Sequence, residues 1–220
     1  MLLVQCINFL KMVEKMIYSY KNIKIHYEPH LDGGGREYYA EFLRIIQEKI
    51  GKVNSAFEFC AGTAFIGFSL LADKMCEKLI LADIEKESVE CCNKTINENN
   101  LEDKVSVYHS DCLKQIPNQK WDLVVGNPPH FSERQANLPQ TTIINVDKNW
   151  DIHRSFYTDI SKYLNPNGSI LLVENGRGSS PKVFYDMIKK NGLRVAEVIK
   201  CNLNRPSKFY FMLVQKNKKQ

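Results

Sequence analysis

The spacing of apolar positions changes several times along the chain, and each change marks an element. Leu3, Ile7, Leu10, Val13 and Ile17 fall at helical spacing, so residues 1–20 are expected as a docking helix. Ile23, Ile25 and Tyr27 alternate with polar residues, as a short strand does. Tyr39, Phe42, Leu43 and Ile46 give one apolar face to a helix over 38–50, stopped by Gly51. From Val53 strands and helices take turns: strand 53–59, helix 65–73, strand 78–82, helix 85–99 with Val89, Cys92 and Ile96 inward, and strand 105–109. A fourth apolar run, 121–125, precedes a long polar segment. Then come helix 150–164, a turn at Asn165-Pro166-Asn167-Gly168, strand 169–174, helix 181–191 and strands 193–201 and 208–214.

Such alternation predicts an α/β fold, doubly wound, with a mostly parallel sheet and helices on both faces. The last two strands have no helix between them, which predicts an antiparallel C-terminal hairpin at a sheet edge. Residues 1–50 are expected as a helical and loop extension packed on a core unit, 51–220. No internal repeat or low-complexity tract interrupts either part.

The fourth strand ends abruptly in Gly126-Asn127-Pro128-Pro129-His130. Proline lacks an N–H and fixes φ, and it holds the preceding residue extended. Asn127 is thereby pinned in a rigid turn at a strand's carboxyl end, where open α/β sheets place their chemistry. Its side-chain oxygen and the Pro128 carbonyl can both accept from a flat –NH2 group and so aim the nitrogen lone pair. The plain alternative is a structural turn.

Other strand ends carry matching groups. Glu58 lies in the first core strand, and Gly62 in the small-residue turn Cys60-Ala61-Gly62-Thr63-Ala64 that follows. Asp83 ends the second strand, placed to accept from ribose hydroxyls. Asp111 follows the third, placed to accept from an adenine amino group. Singly, each is a common solvated turn residue. Ordered one per strand, they converge on one crevice with Asn127. Gly33-Gly34-Gly35 is either a flap over a ligand or a plain linker. The polar segment 131–149 exceeds an ordinary connection, and such loops are usually functional. With Phe131, Trp150 and His153 it is the candidate for substrate selection. The ordinary alternatives are a core residue for Trp150 and a capping or solvated one for His153.

Composition adds bounds. The 220 residues are 44% hydrophobic and 25% charged, ordinary for one soluble globular domain. A net charge of +5 is compatible with a polyanionic partner without arguing for one, and Lys216, Lys218 and Lys219 concentrate part of it in the tail. The seven cysteines, Cys6, Cys60, Cys76, Cys91, Cys92, Cys112 and Cys201, show no Cys-x-x-Cys and no histidine at metal spacing. Reduced thiols in a cytoplasmic protein are expected, with no metal and no membrane span.

The segments Phe57-Glu58-Phe59-Cys60-Ala61-Gly62-Thr63-Ala64-Phe65-Ile66-Gly67, Leu81-Ala82-Asp83, Ser110-Asp111-Cys112 and Gly126-Asn127-Pro128-Pro129-His130 resemble the class I S-adenosylmethionine-dependent methyltransferases. Within them the chain is similar to the Asn-Pro-Pro-aromatic branch. That branch includes N6-adenine DNA, rRNA guanine-N2 and release-factor glutamine methyltransferases. The resemblance covers roughly residues 53 to 214. It implies a seven-stranded Rossmann-like sheet and S-adenosylmethionine as cofactor. Glu58, Cys60, Gly62 and Ala64 would line its methionine end, Asp83 its ribose and Asp111 its adenine. Asn127, with Pro128, Pro129 and His130, would grip and stack on the target. Two departures stand out: the turn keeps one glycine of three, and His130 replaces the usual Tyr or Phe.

The expected activity is methyl transfer to a planar amino or amide nitrogen, of a nucleobase or a protein glutamine. A small amine as acceptor, or a catalytically silent nucleotide-binding scaffold, are the alternatives. An NAD-dependent dehydrogenase fits the incomplete glycine pattern poorly. No aromatic-basic stripe accompanies the core to favour nucleic acid.

Overall fold

The computed structural model describes residues 16–132, 143–203 and 208–217. Seven strands form one sheet: β3 (Val53–Phe59), β4 (Cys76–Asp83), β5 (Val105–His109), β6 (Trp121–Gly126), β7 (Leu164–Asn175), β8 (Leu193–Lys200) and β9 (Phe209–Lys216). Their order is β5-β4-β3-β6-β7-β9-β8. The first five run parallel to one another, whereas β9 is antiparallel to both β7 and β8. The C-terminal hairpin therefore sits at the expected edge, with its second strand inserted inside its first.

Side-chain alternation on the central strands explains the layers. On β7, Leu171 and Val173 enter one apolar cluster, Ile170 and Leu172 the other. Buried on both faces, such a strand reads as an unbroken apolar run. Helices α1 (Gly35–Lys49), α2 (Phe65–Ala72) and α3 (Lys86–Glu98) cover the first face, through Phe42, Ile46, Phe65, Phe68 and Ile96. Helices α4 (Asp151–Tyr163) and α5 (Pro181–Lys190) cover the second, through Phe156, Tyr157, Ile160, Phe184 and Ile188.

Three expectations need correction. Residues 16–20 are not helical: β1 (Met16–Tyr20) pairs antiparallel with β2 (Ile23–Tyr27). The reason is a period-2 aromatic pattern, in which Tyr18 and Tyr20 both meet Tyr39 edge-on while Ile17 points to solvent. The rest of the expected helix lies outside the described residues. On α3 the inward face is Ser88, Cys91, Cys92, Thr95 and Ile96, with Val89 half-buried. The turn at Asn165–Gly168 is absorbed into β7, and the register with β6 shifts between Trp121 and Leu123 to accommodate it. The β1–β2 hairpin packs on α3, where Thr95 Oγ1 accepts from the His26 N–H and Asn99 Oδ1 from the Lys24 N–H, each at 2.9 Å.

Gly126 sits at the end of the central β3–β6 pairing, opposite Phe59. A Cβ there would stand 2.6 Å from the Phe59 carbonyl oxygen. Gly126→Ala is expected to destabilise by roughly 1–3 kcal/mol, as overpacking does. The measurement is the shift in Tm on thermal unfolding.

Candidate active site

The carboxyl ends of β3, β4 and β6 open into a cleft of about 220 Å³. Glu58, 2% exposed, projects toward it from β3 and accepts the Gly67 N–H at 2.7 Å. Burial pushes its carboxyl up to about 8, opposed by the Gly67 N–H and reinforced by the nearby Asp83 charge. The turn after β3 holds three left-handed residues, Cys60 (φ 50), Gly62 (φ 53) and Ala64 (φ 58). The conformation that glycine takes freely is thus kept where Cys60 and Ala64 stand, at a steric cost. Asp83 Oδ2 accepts the Gly62 N–H at 2.7 Å, and Oδ1 accepts the Glu85 N–H at 2.9 Å. Burial still leaves its carboxyl raised. The Cys92 thiol donates to the Gly62 carbonyl at 3.4 Å and braces the turn from α3.

The opposite wall is Asn127 and the segment 31–35. Asn127 Nδ2 donates to the Gly33 carbonyl at 2.7 Å. A carbonyl can only accept, so this bond fixes which way the amide faces. Asn127 Oδ1 is left buried with no hydrogen-bond partner. Leu31, Asp32, Gly33 and Gly35 line the cleft, so the glycine segment is its cover rather than a plain linker. Gly34 takes φ +105, and a Cβ on it would meet Tyr38 at 2.9 Å.

Behind the Asn-Pro-Pro-His turn runs a buried polar chain. His153 Nδ1 meets Asp147 Oδ2 at 2.6 Å, and Nε2 meets Glu174 Oε1 at 2.9 Å; all three residues are 0% exposed. Glu174 Oε2 and His130 Nδ1 face each other at 3.7 Å, both buried and short of a hydrogen bond. Burial disfavours the His153 imidazolium, but Glu174 and Asp147 outweigh it and raise the ring to about 9. Burial likewise works to raise Glu174, yet His153 and His130 leave it below its ordinary value. Asp147 also accepts the Ile152 and His153 N–H groups, tying this chain to the start of α4.

Of the expected site residues, Glu58, Cys60, Gly62, Asp83, Asn127 and Pro129 line one cleft. Ala64 is buried behind it as the residue preceding α2, and Pro128 is buried beside it. Five others fall outside the lining. Asp111 is outside the lining and pairs with Lys114 at 2.5 Å, and Ile84, Glu85 and Ser88 occupy that end instead. His130, 4% exposed, lies edge-on to Phe209 and is directed at Glu174. Trp150 packs edge-on against His153 and Phe184. His153 is a fully buried ion-pair partner, neither solvated nor exposed to a ligand. Phe131 exchanges main-chain hydrogen bonds with Asn145 and Asp147, which returns the long segment so that Ile144 and Val146 reach the cleft. Residues 133–142 of that segment lie outside the described residues. Asp147 and Glu174 were missed by sequence reasoning. The available signal was Glu174 itself, an acid closing an apolar strand as Glu58 and Asp83 do.

This arrangement has relatives. The family model "Methyltransferase small domain" matches residues 40–198. The chain belongs to the methyltransferase small domain family. It is 27% identical over 135 residues to a ribosomal protein uL3 glutamine methyltransferase of Francisella tularensis, covering 58% of this chain and 43% of that one. It is 25% identical over 147 residues to a release factor glutamine methyltransferase of Aquifex aeolicus, covering 63% and 52%. The chain thus spans about half the length, or less, of these relatives. A solved S-adenosylmethionine-dependent methyltransferase of Clostridium acetobutylicum superposes with a TM-score of 0.61 at 10% identity, covering 86% of this chain and 94% of that one. This last likeness is one of fold.

The cleft of this methyltransferase small domain fits S-adenosylmethionine. Gly62 lets the Leu31 carbonyl of the facing wall come close, since a Cβ there would meet it at 2.9 Å. Glu58 and Asp83 offer carboxyl oxygens that can accept from an amine and from ribose hydroxyls, and Thr63 Oγ1 is buried without a partner.

The buried chain makes stability pH-dependent. The folded His153 is raised from 6.5 to about 9, so its contribution is full below about 6.5 and is lost as pH rises through 9. Glu174 is lowered, so its contribution is lost in acid, as pH falls below its ordinary range. Tm is expected to fall between pH 6.5 and 9. His153→Gln, which cannot carry the charge, is expected to cost about 3–5 kcal/mol near pH 6 and to flatten that alkaline fall. Thermal unfolding across pH measures both.

Proposed function

We propose that this chain transfers the methyl group of S-adenosylmethionine to a planar amide nitrogen of the protein-glutamine type. The observation that carries this reading is the buried, unpartnered Asn127 Oδ1 at the cleft wall, its direction fixed by the Gly33 carbonyl. Such an acceptor, with the adjacent main-chain carbonyl of Pro128, suits the two hydrogens of one –NH2 group. The names of the relatives favour an amide over other acceptors.

Bound S-adenosylmethionine supplies an electrophilic methyl group, already activated by positive charge on sulfur. The chain's own residues then have four tasks. Glu58, Asp83 and the Gly62 turn hold the cofactor. Asn127 turns the acceptor nitrogen so that its lone pair faces the cleft and stabilises the charge that develops there. Orientation of this kind supplies roughly 7–11 kcal/mol of a two-reactant barrier. The Leu31–Gly35 cover excludes water. No strong base is needed, because the nitrogen's proton becomes acidic once alkylated. The His130–Glu174 pair lies behind the turn as its support. Residues 51–220 carry the cofactor site, and residues before 51 supply its cover. The six described cysteines, Cys60, Cys76, Cys91, Cys92, Cys112 and Cys201, are free thiols, which suits a cytoplasmic setting. Among the described residues no helix is long and apolar enough to cross a membrane.

A nucleobase exocyclic amine is the second reading, since Asn127 Oδ1 presents itself equally to that –NH2 group. The two separate on transfer of tritiated methyl from S-adenosylmethionine into an extract of cells lacking the protein. Label removed by protease is expected; label removed by nuclease would favour the nucleobase. Asn127→Ala is expected to reduce transfer by about 10²–10³-fold while cofactor affinity is retained. Wild-type turnover in that variant would sink the assignment. Asp83→Ala should instead weaken cofactor binding, read by calorimetry.

A further inference from the structure

Outside the cleft, the turn Pro29–Leu31 brings a second set of ligating side chains onto α3. Glu28 precedes the turn, His30 lies in it, and Glu87 stands in the first turn of α3. One donor atom from each, a ring nitrogen and two carboxylate oxygens, lies within 4.8 Å of the other two. His30 Nε2 is 3.0 Å from Glu87 Oε2, and Nδ1 is 3.7 Å from Glu28 Oε2. Glu28 is only 6% exposed, and its Oε2 is buried with no hydrogen-bond partner, directed into this group. Leaving a carboxyl oxygen buried without a hydrogen bond beside a second acid is unfavourable, and a cation removes the cost. His30 and Glu87 are half-exposed, which leaves a path for an ion and its waters.

We propose that Glu28, His30 and Glu87 bind a divalent transition-metal ion, which clasps the cover of the cleft to α3. The donor set selects the class of ion. Imidazole suits zinc, iron and nickel, carboxylates suit manganese, and magnesium and calcium prefer oxygen-only sites. Three protein ligands leave positions for water, as in open zinc sites. The observed spread is wider than the roughly 3.4 Å between ligands bound at about 2.0–2.1 Å, and rotation of the two half-exposed side chains closes it. The clasp follows from chain continuity. Leu31, next to His30, and then Asp32, Gly33 and Gly35 line the cleft. Holding His30 on α3 therefore holds the segment whose Gly33 carbonyl orients Asn127. None of the three donors belongs to the cleft lining, so the site stands independently of methyl transfer.

The test uses the full chain stripped with EDTA and titrated with MnCl2, ZnCl2 and MgCl2. Calorimetry and the Mn2+ electron paramagnetic resonance signal report binding. Manganese binds thiols poorly and so separates this site from the free cysteines. One equivalent of Mn2+ is expected to bind, with Mg2+ much weaker. Affinity should fall about tenfold or more in His30→Ala and Glu87→Gln. Both positions are half-exposed, so folding is not at stake, and His109→Ala serves as a control that should bind as wild type. Wild-type Mn2+ and Zn2+ affinities weaker than about 100 μM, or unchanged Mn2+ binding in both variants, would overturn the site. Amide hydrogen exchange over residues 31–36 reads the clasp: Mn2+ should slow it in wild type and not in His30→Ala. Unchanged exchange with the ion bound would overturn the clasp.

Discussion

The pairing of β3 with β6 is the constraint on which the site depends. These strands are distant in sequence yet adjacent in the sheet, where the winding reverses direction. Glu58 pairs with Val125 and Phe59 with Gly126, so both chains leave the sheet at the same level. Connections that depart on opposite sides of such a point leave a crevice between them. The Cys60–Ala64 turn forms one lip and the Asn-Pro-Pro-His turn the other. Gly126 lets the strands approach at this point, because a side chain there would strike the Phe59 carbonyl. The chemistry of the cleft is then a matter of what the two lips carry.

The lips need different kinds of support. The β3 side is held by backbone hydrogen bonds to carboxylates, Gly62 to Asp83 and Gly67 to Glu58. The β6 side rests on the buried Asp147–His153–Glu174 group. The His153 ring lies between the two acids, and His130 faces the second oxygen of Glu174. A buried group of this kind adds little net stability compared with an apolar replacement, but removing one member is costly. Its value is geometric: it joins the start of α4, the end of β7 and the Asn-Pro-Pro-His turn at fixed separations.

Much of this was legible in the sequence, for physical reasons that differ by element. The sheet was legible because strands buried on both faces read as apolar runs, and the crevice because acids and Asn127 end consecutive strands. Long-range side-chain partnerships were not legible. Asp111 is expected at the adenine by its place after β5, yet it stands outside the cleft lining and pairs locally with Lys114. His153, a candidate for substrate selection by its place after the long polar segment, is instead sealed between Asp147 just before α4 and Glu174 of β7. Residues 16–20 continued a helical spacing that the pairing of Tyr18 and Tyr20 with Tyr39 overrode. Tertiary contact outranks local period wherever a segment is short. The degenerate glycine turn misled in the opposite sense, since Cys60 and Ala64 keep the left-handed backbone without the glycines.

The hydrogen bond from Asn127 to Gly33 makes the cover part of the site's wiring. The bond settles the rotation of the Asn127 amide, since a carbonyl can meet only its Nδ2 end. Without it either end of the amide could face the cleft, so the orientation of a side chain at a strand tip is set by a main-chain carbonyl from a segment that precedes the whole sheet.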